Sequence, residues 1–186
     1  ASRAPAKEDY LYNLSVSGAV CPDLLRGPAR QTERLLTLMD RAPGRWERGV
    51  VVIRIGTNSF VRVHHLDQLA RDPDSPEVAP LISDCIEVVR ESVRMIRSRH
   101  PRTAIVLVGI FDNVHWARYL TRWESAAQVR NIARALDRFD DALRAMSASD
   151  PRMAFFDDRA WFSRHWGGRD ASGKAAYRKV TFGRAL

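Results

Sequence analysis

The stretch RGVVVIRIGTNSF, Arg48 to Phe60, decides the fold. Its core, Gly49–Ile55, is almost continuously apolar and β-branched. That pattern is the mark of a strand buried on both faces of a parallel sheet. It stops abruptly at Gly56-Thr57-Asn58, which supplies a glycine, a hydroxyl and a side-chain amide. In parallel α/β sheets the carboxyl ends of strands are where ligands bind.

Outward from this strand, helical and strand signals alternate. Upstream, YLYNLSV (Tyr10–Val16) reads as a short strand ending before Ser17-Gly18, and Gly27-Pro28 opens a helix reaching about Arg41. Downstream, Val61–Pro80 reads as a polar loop, and Val78–Arg99 keeps apolar residues at helical spacing until Pro101. TAIVLVGIF (Thr103–Phe111) is a third buried strand, Trp123–Ala148 a helix with a core-facing stripe, and MAFFDD (Met153–Asp158) a short fourth strand. RAWFSRHW reads as a helical turn and GGRDASGK as a loop. This order predicts an α/β fold with a parallel sheet and helices on both faces. The strand ends are then Ser17-Gly18, Gly56–Asn58, Phe111–Asn113 and Asp157-Asp158.

Composition narrows the class. The 186 residues, 45% hydrophobic and 28% charged, suit one globular domain. No apolar run approaches the roughly 20 residues of a membrane span. The formal charge is +8, with Lys7, Lys174 and Lys179 the only lysines among 30 basic residues. The arginines alternate with acids along the helices, which fits solvated faces better than a nucleic-acid patch. Cys21 and Cys85 match no zinc spacing and make no disulfide framework. Cys85 is expected in the core, and Cys21, after a strand-end loop, leaves a reactive thiol as the alternative. No GxGxxG or GxxxxGK[ST] occurs, and His64-His65 with Asp67 and Asp72 is a weak ligand set, so neither metal nor cofactor is expected.

The pair that stands out is Gly18 and Asn58. A glycine N–H and an asparagine amide at neighbouring strand ends can aim two neutral donors at one point, as an oxyanion hole requires. The plainer alternative is a turn glycine and a capping asparagine.

YLYNLSVSGAV resembles the second sequence block of the SGNH (GDSL-type) hydrolases, and VVVIRIGTNSF resembles their third, G-x-N-D. The resemblance implies a flavodoxin-like three-layer sandwich of strand order 2-1-3-4-5. It implies a serine esterase working through an acyl-enzyme, with Gly18 and Asn58 as oxyanion donors and no cofactor. Ser17, Thr57, Ser59, Asp112 and Asn113 would line the substrate site. The substrate would be a small-molecule or carbohydrate ester, with no nucleic acid and no membrane span involved.

The chain departs from that pattern in three places. Ser59 stands where the family has aspartate. No G-D-S block precedes Tyr10, and no D-x-x-H block follows Asp157; the literal DNVH, Asp112–His115, follows the middle strand instead. Ser17 lacks a nucleophile elbow. The expectation is therefore a single domain over 1–186, truncated at both ends, with the first strand missing and inactive alone. YLYNLSV and GVVVIRI should then flank a vacancy, unless YLYNLSV shifts to fill it. Trp116, Trp123, Trp161 and Trp166 follow strand ends as either pocket or packing residues. A non-catalytic α/β ligand-binding module and a basic nucleic-acid domain are the competing classes.

Overall fold

The computed structural model describes residues 12–111, 114, 119 and 121–178. The elements run α1 (Gln31–Asp40), β1 (Val50–Ile53), α2 (Thr57–Phe60), α3 (Val63–Arg71), α4 (Ala79–Arg99), β2 (Ala104–Val108), α5 (Ala126–Ala148), β3 (Met153–Phe156), α6 (Asp158–Trp166), β4 (Gly167–Arg169) and β5 (Ala175–Tyr177). Short 3-10 segments at Cys21–Leu24 and Pro43–Arg48 flank α1.

The main sheet is parallel, in the order β1-β2-β3, with Val51 opposite Ile105 and Leu107 opposite Phe155. Both crossovers, through α4 and α5, step in the same direction. Right-handed crossovers of that kind put their helices on one face. Val51, Ile53, Ile105 and Leu107 are buried on that side, in one core with Ile82, Val89, Ile96, Leu136 and Phe139. The opposite face carries Val50, Val52 and Phe156, which are 55%, 62% and 41% exposed.

Several sequence expectations are corrected. Tyr12–Val16 forms no strand, and it joins neither sheet; a short segment of strand-like composition forms a ladder only where a neighbouring strand offers one. β1 is not buried on both faces but alternates exposed and buried along a sheet edge. The supposed polar loop contains α3, whose Leu66, Leu69 and Ala70 are buried and which packs on α5. Part of the supposed loop GGRDASGK is strand β4, and with β5 it makes an antiparallel pair. RAWFSRHW is not a single turn but most of α6.

The two cysteines are joined. Cys21 and Cys85 form a disulfide across 64 residues of sequence, with Cα atoms 5.2 Å apart and both residues buried. Cys85 is in the core as expected, but the thiol reading of Cys21 is overturned. Closing a loop of that length removes about 4 kcal/mol of unfolded-chain entropy.

Many arginines are engaged in ion pairs: Arg97 with Asp150, Arg122 with Asp67, Arg138 with Asp74, and Arg144 with Asp141 and Asp157. Exposed pairs of this kind contribute up to about 1 kcal/mol each. One pair is different. Asp140 is 2% exposed, accepts from the Ile110 N–H at 2.8 Å, and receives Arg159 through Nε at 3.0 Å and Nη2 at 2.6 Å. Burial pushes the Asp140 carboxyl above the usual aspartate range, against the pull of Arg159 and the Ile110 N–H. The alternation of charges in RNIARALDRFDDALR hides this buried acid among solvated ones.

Candidate active site

The site is built at the carboxyl end of β1. The chain leaves the strand through Arg54 and Ile55 and turns at Gly56, where φ is 120°. A Cβ there would lie 2.7 Å from Ile110 Cδ1 and 3.0 Å from Phe60 Cε1, so both conformation and space require glycine. The N–H groups of Ser59 and Phe60 donate to Gly56 O, closing the short helix α2. Phe60 anchors it in the core, its ring 5.2 Å from Phe139. Thr57, Asn58 and Ser59 are left half-buried on the outer side of that anchor.

The second wall comes from the turn after Val16. Gly18 has φ 81° and open space where a Cβ would stand, and Ser17 and Gly18 are both exposed. The two loops are tied directly. Asn58 Nδ2 donates to Ala19 O at 3.2 Å, and the Cys21 N–H donates to Ser59 Oγ at 2.8 Å. A carbonyl only accepts, so the first bond fixes which end of the Asn58 amide carries nitrogen. One amide hydrogen is used there and the second remains for another acceptor. The Gly18 loop and Asn58, 40 residues apart in sequence, thus share one corner of the molecule.

Below that corner runs a groove of about 570 Å³. Val50 and Val52 of β1 line one side and Tyr12, Leu14 and Val16 line another, with Leu35 and Trp46 also contributing and Thr57 and Asn58 among its lining. The groove therefore separates Tyr12–Val16 from the unpaired edge of β1.

The remaining expected residues fall elsewhere. Asp112, Asn113 and Trp116 lie outside the described residues, as does most of DNVH. Asp157 caps α6 by accepting from the Ala160 N–H at 2.9 Å. Asp158, 8% exposed, receives Arg54 Nη2 at 2.6 Å, and the Arg54 guanidinium sits 6.0 Å from the Phe111 ring centre. Both strand-end carboxylates are thus engaged in the scaffold. Arg54 was the one charge inside an apolar strand, and that was the available signal for this cross-sheet pair. Trp123 is a core residue, 1% exposed, whereas Trp161 and Trp166 lie exposed on α6. His165 stacks on Trp161, with Nδ1 2.8 Å from Trp161 O.

The His64 and His65 rings lie tilted against each other with centres 4.0 Å apart, and burial, then His64 and Arg62, hold the His65 imidazole below its usual range. Among the described residues no group of three or more His, Cys, Asp or Glu is arranged to hold a metal ion. No described helix is long and apolar enough to cross a membrane. No protein-family model, curated protein or solved structure significantly matches this chain.

Proposed function

We propose that this chain carries the oxyanion hole of an SGNH-like serine ester hydrolase. The carrying observation is the union of the Gly18–Cys21 turn with Asn58–Ser59 above the end of a parallel strand, through the bonds Asn58 Nδ2 to Ala19 O and Cys21 N–H to Ser59 Oγ. The Gly18 N–H and the second Asn58 amide hydrogen are the two donors for the tetrahedral oxyanion. A serine attacks the ester carbonyl, the oxyanion collapses to an acyl-enzyme, and water releases the acid. Among the described residues the family's nucleophile and base blocks have no counterpart, so this reading concerns the oxyanion donors. Ser17 and Thr57 flank the donors, and Ser59 holds the loop rather than touching substrate.

The fold reading belongs to the same proposal. In a flavodoxin-like sheet of order 2-1-3-4-5, the first strand runs between the second and third. The groove between Tyr12–Val16 and β1 is that lane, and it accounts for the unpaired edge of β1 and for the exposed Val50 and Val52. A small-molecule or carbohydrate ester is the substrate class.

The test uses a short-chain aryl ester with the 186-residue chain and with a longer chain bearing the upstream and downstream blocks. The longer chain turns the ester over and the shorter does not. Asn58→Ala in the longer chain lowers kcat by about 10²–10³, the usual cost of one oxyanion donor. Robust turnover by the short chain, or an unchanged kcat in Asn58→Ala, overturns the proposal.

A further inference from the structure

The Gly18 turn has an unusual support. In a parallel sheet, a strand-end loop is held by the ladder of the strand below it. Here Tyr12–Val16 joins neither sheet; it is tied by Gln31 Nε2 to Leu14 O at 2.9 Å, by the Tyr12 ring edge-on to Trp46 with centres 5.2 Å apart, and by the local bonds Ser15 N–H to Asn13 Oδ1 and Ala19 N–H to Val16 O. What fixes the turn lies on its other side. Cys21 is bonded covalently to Cys85 in the second turn of α4, a 21-residue helix whose Ile82, Val89 and Ile96 are in the core. The same residue donates its N–H to Ser59 Oγ, and Ala19 O takes the Asn58 amide. Asp23 Oδ2 closes the turn on the Val20 N–H at 2.9 Å.

We propose that the Cys21–Cys85 disulfide and Ser59 together form the clamp that positions the oxyanion donors. Each part restrains a different freedom. The disulfide pins the turn to α4. The Ser59 hydroxyl pins it to α2, on the residue next to Asn58. With both in place the Gly18 N–H and the Asn58 amide are held in one frame, although no strand ladder sets their separation. With either removed, the two donors move independently, and displacements near 1 Å cost on the order of 10²-fold in rate. Cys21 is 2% exposed and Cys85 0%, so thiols in solution do not reach the bond in the folded chain. The disulfide is a permanent strut. Cys21, Cys85 and Ser59 are positioning residues, because none of them reaches the oxyanion.

The positional part of this inference stands without the hydrolase reading; its catalytic part rests on it. The experiment has two arms. In the 186-residue chain, amide hydrogen exchange is compared for Cys21→Ala/Cys85→Ala and for Ser59→Ala. Exchange in Val20–Leu24 and at Ser59–Phe60 should rise at least about ten-fold more than exchange in β2, as local opening requires. Ser59→Thr, which keeps a hydroxyl, should restore protection. In the longer chain the same variants lower kcat by about ten-fold or more with KM nearly unchanged, because a displaced oxyanion hole fails in the transition state.

Exchange that rises uniformly, or kcat that holds while only thermal stability falls, makes the disulfide a general brace and overturns the clamp. Ser59→Ala keeps the disulfide, so a cysteine variant that fails to fold leaves the test intact. Local exchange as expected, with kcat insensitive to Asn58→Ala, upholds the clamp while removing the hydrolase reading.

Discussion

At Gly56 the backbone leaves β1 with φ 120°, and Ile110 and Phe60 occupy the space beside its α-carbon. An alanine there meets a left-handed backbone cost of about 1–2 kcal/mol and an overpacking cost of about 1–3 kcal/mol. Gly56→Ala should therefore lower unfolding free energy in urea by about 2–4 kcal/mol; a loss under about 1 kcal/mol would mean the turn repacks freely. Asp67 shows the electrostatic side of residue-scale design. It receives Arg122 through Nε at 2.9 Å and Nη2 at 2.7 Å, and Trp123 Nε1 at 3.1 Å. The Arg122 hydrogen bonds, then Trp123, hold its carboxyl below the usual aspartate range against burial. An acid with a depressed folded pKa stabilises the fold fully above its unfolded value, about 3.9, and that contribution is lost as pH falls through the folded value. Unfolding free energy should thus fall below about pH 4, and Asp67→Asn should flatten that slope. An equal acid slope in both proteins would remove Asp67 from the acid response. Asn58 and Gly18 were legible from residue type and strand-end position. The Ser59–Cys21 bond was not, because a serine after an asparagine carries no sequence mark of its partner 38 residues away.

Among the elements, the long amphipathic helices were the most legible. α4 begins within one residue of its expected start and ends where expected. α5 begins at Ala126 because Ser125 and Gln128 form a capping box, with Gln128 N–H donating to Ser125 Oγ at 3.2 Å. Ser125→Ala should cost about 1 kcal/mol in urea unfolding, and no measurable loss would show the box to be idle. α3 was hidden because its nine residues sit in a stretch dominated by His, Asp, Arg and Pro. Only Leu66, Leu69 and Ala70 mark its inner face, and α5 supplies the surface they need. β1 was read correctly as a strand, and its open edge was expected from the missing first strand, but its burial on both faces was not met. A continuous apolar run specifies strand character, while the number of neighbours depends on which other segments reach its edges.

At the scale of the whole molecule, β1 has one edge with no ladder partner among the described residues, and its outward side chains stand largely open. Val50 and Val52 are more than half exposed, and Val50–Ile53 carries neither charge nor proline to discourage pairing, with Arg54 just beyond it engaged by Asp158. The 186-residue chain should accordingly self-associate with rising concentration in sedimentation velocity, and Val52→Lys should shift it toward monomer; a monomer at every concentration would contradict this. The net charge of +8 opposes association, so added salt should promote it. The sequence by itself determined the helical and strand periods, the parallel α/β class, and the glycine and amide at the strand ends. These depend on spacing along the chain, which local physics reads directly. Only the tertiary structure decided that Tyr12–Val16 stands apart from the sheet, that β1 is buried on one face alone, that Cys21 meets Cys85, and that Asp140 is buried beside the Ile110 N–H. Each of these depends on contacts between segments far apart in sequence, where the free energy lies in the partner rather than in the residue.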